Sequence, residues 1–478
     1  MGMGSSSVSL KASALLAASL LAGGLIPAAQ ASAAPVWSAP QNISASANDL
    51  SGSSVAVDRH GRALAAWPAF RWQSGKPHGH YVLSGWSTAT RAPGAAAFSL
   101  PRGAPTFVSG PVLFGVSRAI GLDQRSLGWQ RCGERATLRA RFGTSSGVFQ
   151  APITIVTSKG PGNNGQPAVA ANDAGQVLVA WASANSDCSR SGIQISIRRP
   201  SGSSFGAPVT LRGSGRSEAP SVAVGAGGDM LVAWERRLGE SRTAIEARFR
   251  QAGHGWGPVV TLGSGTVAGP LTTAVAQNGR AYVAWGSQTI SESTGLTAAS
   301  FVAVRPAGGR SFRAAQTLER MKTAVAYLPR LAPVLALAGT NAYVAWTGHD
   351  TAWRARVSRT DASGHFSAAQ SPSPAGTNVA LGGLAALPDG TAAMTWSGLD
   401  SENLVKDVVA AVRPAGASAF GAPELVSGAA LRLPSVALDL TTRQPTVTWA
   451  QRVGAVTSVA SITAYVRAST RSEGGATP

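Results

Sequence analysis

Eight tryptophans recur along the chain at a near-constant interval. Trp67, Trp129, Trp181, Trp234, Trp285, Trp346, Trp396 and Trp449 stand 62, 52, 53, 51, 61, 50 and 53 residues apart. Each closes a short apolar run, as in Leu231-Val232-Ala233-Trp234 and Tyr282-Val283-Ala284-Trp285. Five have a glycine six positions earlier, at Gly61, Gly175, Gly228, Gly279 and Gly390. Another β-rich run precedes that glycine, as in Ala168–Ala171 and Ser221–Val224. Two short strands around a Gly, Asn or Asp turn make a β-hairpin. A hairpin copied at this period marks one supersecondary unit that must stack on its own copies to bury its faces.

Each unit continues past the tryptophan with a third strand ending in arginine. The eight such positions are Arg91, Arg141, Arg199, Arg250, Arg305, Arg359, Arg413 and Arg467. A second turn follows, then a fourth strand heralded by an aromatic residue: Phe98, Phe149, Phe205, Trp256, Phe312, Phe366 or Phe420. The last unit lacks this fourth strand after Arg467. Its pattern recurs at the other end of the chain, where Trp37-Ser38-Ala39-Pro40-Gln41-Asn42-Ile43 parallels Phe205-Gly206-Ala207-Pro208-Val209-Thr210-Leu211. A strand at 36–44 is therefore expected to complete the last unit. That closes a ring and leaves no open row of strands with exposed edges.

The expected fold is all-β: a β-propeller of eight four-stranded antiparallel blades closed by the N-terminal strand. Seven blades is the alternative, because the second unit (105–155) is the most degenerate. The Gly and Pro content, 56 and 28 residues, is then one pair of turns per unit, and it argues against a helical bundle. Over about residues 36–467 the chain resembles the β-propeller repeat proteins secreted by actinobacteria, close in architecture to sialidase-like and WD-repeat propellers. The resemblance implies a fold. It does not extend to sialidase catalysis, since the Arg-Ile-Pro signature and the Ser-x-Asp-x-Gly-x-Thr-Trp box are both missing.

Residues 1–33 read as a secretory signal: Lys11, an apolar run from Ala12 to about Ala29, and the small-residue site Ala31-Ser32-Ala33. Residues 34–467 form a single domain, and 468–478 are expected to be a disordered tail. Export allows a disulfide between Cys132 and Cys188, which fall in the loops after the second strand of consecutive units. The mature chain is expected to be secreted, free of the membrane and monomeric.

The formal charge is +19, from 41 Lys+Arg against 22 Asp+Glu. Much of it is the repeated arginine, read as an aliphatic stem over apolar surface with its guanidinium in water. No nucleic-acid module accompanies it. The strings Gly143-Thr144-Ser145-Ser146-Gly147 and Gly202-Ser203-Ser204-Phe205-Gly206 match a hydrolase elbow, but both fall in turns between strands rather than in a strand-to-helix turn.

Irregular chemistry collects in the loops between second and third strands. The candidate ligand contacts are Arg71, Trp72, His78 and His80 of the first unit, Arg237 of the fourth, His349, Asp350 and Trp353 of the sixth, and Asp400 of the seventh. His78-x-His80 alone is too small a donor set for a metal site. The expectation is a secreted binding or scaffold protein with no catalytic residues, no cofactor and no metal, its partner an anionic polysaccharide or cell-wall polymer. The alternative is a carbohydrate-active enzyme, a sialidase-like glycoside hydrolase or a lyase, using the same loop face. Two converging carboxylates would separate the two readings.

Overall fold

The computed structural model describes residues 33–44, 53–73, 80–104, 112–114, 118–124, 132–161, 167–185, 187, 189–213, 215–240, 242–267, 269–291, 295–323, 332–402, 404–453 and 463–474. All regular structure among them is β. No helix there is long and apolar enough to cross a membrane.

The described strands form seven sheets, the largest of which joins two successive antiparallel units through a single parallel bridge; the repeat units are numbered below in chain order. Unit four shows the plan: Arg216–Val224, Met230–Arg237, Thr243–Arg250 and Val260–Gly265, each paired with the next. Unit six has three strands, and its fourth is reduced to the single bridge Val357 to Gln370. The first strand of each unit touches the first strand of the next. Ser435–Leu438 of unit eight touches Ser54–Val57 of unit one, so the succession returns to its start.

Local chemistry explains the hairpins. In unit one the Gly61 N–H donates to Asp58 O (3.0 Å) and the Asp58 N–H to Arg62 O (2.9 Å), a three-residue loop with its last residue left-handed. The five expected turn glycines all have φ between 80° and 93° there. The aromatic heralding the fourth strand sits in the preceding turn, and the strand begins four residues later, as Phe205 before Val209 and Phe420 before Glu424.

The units cannot bury their faces alone. The large apolar clusters straddle consecutive units, as where Trp234 and Met230 pack with Leu178, Ile193 and Ile195 of unit three. Trp67, Trp181, Trp234, Trp346, Trp396 and Trp449 are at most 1% exposed, and Trp285 is 3%. Burial of an indole strands its N–H unless an acceptor comes with it. Trp346 donates to Glu319 of unit five (2.7 Å), and Trp234 to Glu246 (3.0 Å).

Closure uses both chain ends. Ala33–Trp37 and Gln41–Asn42 pair antiparallel with Thr463–Gly474, with Trp37 opposite Arg471 and Gln41 opposite Ala468. Trp37 Nε1 donates to Glu424 (2.8 Å), which Arg471 grips with two nitrogens.

Three expectations are corrected. Residues 468–474 are not a disordered tail: they continue the last third strand, because the N-terminal segment supplies them with a partner. The second strand of unit two is Arg118–Gln124, earlier than placed; its register puts Asp123 where tryptophan stands elsewhere, while Leu122, fully buried, packs on the opposite face against Trp181 of unit three. Trp129 lies outside the described residues.

The third correction concerns the repeated arginines, several of which turn away from water. Arg91, Arg305 and Arg413 are each 6% exposed. Arg413 donates to Tyr343 Oη (2.6 Å) and Gly390 O (2.7 Å), and Arg91 to Thr446 (2.9 Å) and Thr470. The Arg305 guanidinium lies 3.6 Å from the Phe249 ring of unit four. They clamp neighbouring units together.

Candidate functional site

Unit four carries a charge pattern that no other unit repeats. Position by position, the residue after the repeated tryptophan is Pro68, Ala182, Gly286, Thr347, Ser397 or Ala450, but in unit four it is Glu235. Two residues before the proline that leads into the first strand stand Gly165, Ala268, Leu331 and Arg432, but in unit four Glu218. Register brings the two exceptions together. Glu218 lies directly opposite Glu235, and Arg216 opposite Arg237, on one face of the sheet at the end where second and third strands are joined. Side chains so paired have Cβ atoms about 5 Å apart, and like charges there repel.

The backbone at Glu218 is bent to this arrangement. The register slips between Glu218 and Ser221, and Ala219 takes φ 50°, a left-handed conformation strained for a residue with a Cβ. Such bulges re-aim a side chain. Glu218 is 3% exposed and ion-paired with Arg237 Nε. Glu235 is half-buried. Burial first and the Glu218 charge second, offset in part by Arg237, push its pKa from the ordinary 4.5 up to about 7. An ion-paired carboxylate thus stands beside another whose proton is held to near neutral pH. Two acids separated in this way are what proton-transfer chemistry requires.

The opposite face of the same strands is structural. Glu246, 2% exposed, accepts from Trp234 Nε1 (3.0 Å) and Arg236 (3.2 Å) and lies 3.4 Å from Arg212 of unit three. Its charge is fully engaged in joining units three and four.

The candidates named from sequence are scattered. Arg71 and Trp72 belong to the strand Ala63–Gln73 and His80 to His80–Arg91, so the expected loop is largely a hairpin extension. His78 lies outside the described residues, as does Cys188, and with it the expected bridge to Cys132. Trp353 is 1% exposed, packed with Ala298 and Met321 of unit five, so it is a packing residue and not a ligand contact. His349 meets its ring edge to face at 4.6 Å, and the His349 N–H donates to Glu319 (3.1 Å). Asp350 accepts the Thr351 N–H (2.7 Å) and pairs with Arg354 and Arg356 at 3.3 Å.

Asp400 accepts the Glu402 and Leu404 N–H groups (2.9 and 2.8 Å), closing its own turn. It lines a cleft of 460 Å³ with Asn378, Lys406 and Asp407. Of the named set only Arg237 belongs to the carboxylate pair. Glu218 was missed, although its departure from the repeat marks it. Among the described residues no three His, Cys, Asp or Glu side chains gather as a metal site would require.

No family model matches the chain, and no curated protein matches it. Solved structures do. A ulvan lyase bound to a GlcA-Rha3S saccharide matches at 10% identity and TM-score 0.44, over 76% of this chain and 94% of the other. An α-L-arabinofuranosidase from Fusarium graminearum matches at 11% identity and TM-score 0.38, over 90% and 96%. An α-L-arabinanase from Penicillium chrysogenum matches at 14% identity and TM-score 0.33, over 63% and 92%. The likeness is one of strand arrangement. The expectation that the chain is not an enzyme is corrected to this extent: the solved structures it is similar to include polysaccharide lyases and glycosidases, which runs against it.

Proposed function

We propose that this chain is an exported, eight-bladed β-propeller that cleaves glycosidic bonds in an anionic polysaccharide, with Glu218 and Glu235 as its carboxylate pair. The carrying observation is the meeting of two acidic residues, each the exception at its repeat position, as register partners beside a strained bulge. Eight antiparallel units whose first strands succeed one another back to the start support the blade count. The Cys132–Cys188 bridge belongs to the same reading, as a tie between units two and three in an oxidising compartment.

The chemistry follows from the environments. Glu235, protonated near neutrality, donates a proton to the oxygen of the departing sugar. Glu218, ion-paired with Arg237, stabilises positive charge building on the sugar ring or directs water to it. Arg216, exposed at the end of the same face, is placed to meet a carboxylate or sulfate of the substrate.

The test is a panel of neutral and anionic polysaccharides, read by release of reducing ends. Cleavage is expected on an anionic polymer, with a rate that falls as pH rises past about 7, where Glu235 loses its proton. Glu235→Gln and Glu218→Gln should each lower it by about a hundredfold or more. Asp400→Asn, which loosens only a turn, should leave it unchanged. Activity that survives both glutamine variants, or no cleavage of any polymer, would remove the proposal.

A further inference from the structure

A second cleft lies on the same seam between units four and five, at the opposite ends of the strands. Phe249 of unit four and Arg305, Arg310, Ser311 and Phe312 of unit five line it together with His254, and its volume is 290 Å³. From Ile245, the partner of Glu235, to Phe249 is four residues, or about 13 Å of strand. Buried Leu231, Ala233 and Ala247 fill the space between. The cleft is therefore separate from the carboxylate pair.

Its charge is one-sided. None of the lining side chains is acidic. Arg305 is 94% buried by the complement of its 6% exposure, and its Nε has no hydrogen-bond partner among the described residues. This N–H at the cleft wall is a donor open to a ligand, although Arg359 of unit six also leaves its Nε without a partner. The corresponding arginine of unit seven, Arg413, is satisfied by Tyr343 and Gly390. Asp229 acts on Arg305 electrostatically, but its Oδ1 is taken by the Ala252 N–H (2.8 Å). Arg310 is exposed at the rim, and the half-buried ring of Phe312 offers an apolar surface beside it.

We propose that this cleft binds the acidic group of a saccharide unit, a carboxylate or a sulfate ester. Arg305 and Arg310 hold the anion, and the Phe312 ring carries the apolar face of the sugar. It is a non-catalytic site that anchors an anionic glycan at a distance from the chemistry, and it stands whether or not the Glu218–Glu235 pair cleaves one.

Calorimetric titration tests it with five probes: a uronate oligosaccharide, a sulfated oligosaccharide, a neutral oligosaccharide, a DNA oligonucleotide and inorganic sulfate. Either acidic oligosaccharide should bind, the neutral one should not, and binding should weaken as salt rises. Arg310→Gln and Phe312→Ala should each weaken it by about tenfold. Arg310→Gln keeps the buried Arg305 intact, so a folding defect does not stand in for lost binding, and circular dichroism of the same sample verifies this. Glu235→Gln should bind as the wild type does, which separates this site from the carboxylate pair. The proposal fails if the neutral sugar binds equally, if inorganic sulfate or a DNA oligonucleotide matches the acidic sugar, or if both cleft variants bind like the wild type.

Discussion

Arginine has two lives in this protein, and burial divides them. Arg413 is enclosed and donates to a phenolic oxygen and a backbone carbonyl of other strands, while its counterpart Arg250 is half-exposed and reaches His254 O (2.7 Å) within its own turn. Arg413→Ala leaves Tyr343 Oη without its donor, with Gly390 O held only by the Tyr343 O–H (3.0 Å), and opens a gap between units. A loss of about 2–4 kcal/mol is expected from buried polar groups stranded in this way. Arg250→Ala should cost less than about 1 kcal/mol. Urea unfolding of the two variants checks the difference, and equal losses would show that the repeated arginine plays one role throughout. None of this division was visible in the repeat alone. The arginine recurs in every unit, but whether an aromatic ring or a carbonyl waits for it is decided by residues about fifty positions away.

At the scale of elements, the hairpins were readable because their causes are local. A left-handed glycine, an Asx cap and alternating burial all lie within a dozen residues of one another. The N-terminal strand was readable too, since Trp37-Ser38-Ala39-Pro40 copies a pattern seen in other units. Unit two was misplaced because its second strand, Arg118–Gln124, ends before Trp129 and has no tryptophan of its own. The carboxylate pair lies between these cases. Glu218 and Glu235 depart from the repeat in plain view, yet their meeting depends on a register that only the bulge at Ala219 defines. Closure can be tested directly. Ile43, 1% exposed, packs with Trp67 and Ala89 of unit one. Ile43→Ala should cost about 2–4 kcal/mol as a cavity at the joint between the first and last units. A loss below about 1 kcal/mol in thermal unfolding would mean that the N-terminal segment is not part of the cooperative structure.

For the whole molecule, the charged pair links stability to pH. An unfolded glutamate titrates near 4.5, whereas folded Glu235 titrates near 7. Between those values the native state holds a proton that the unfolded state has released. Stability contributed by this group is therefore present below about pH 4.5 and is lost as pH rises toward and through 7. The full span is worth at most about 3 kcal/mol, and less in practice because Glu235 keeps some contact with water. Glu235→Gln should flatten this slope and make the protein more stable than wild type at pH 8, as measured by urea unfolding at pH 5 and pH 8. Parallel slopes would mean that Glu235 titrates like any surface glutamate. The +19 charge reads differently at this scale as well: part of it joins the units to one another, and part faces a cleft with no acidic side chain in its lining.

The pairing of the two chain ends carries a mechanical consequence. Ala33, the start of one strand, lies opposite Gly474, the end of the other, so both ends leave the sheet at the same edge. A pull applied between them would peel the two strands apart one hydrogen bond at a time, rather than shear the whole row at once. This pairing therefore yields to tension from the edge where Ala33 meets Gly474. Cargo hung from both ends would open it, whereas cargo hung from one end would not.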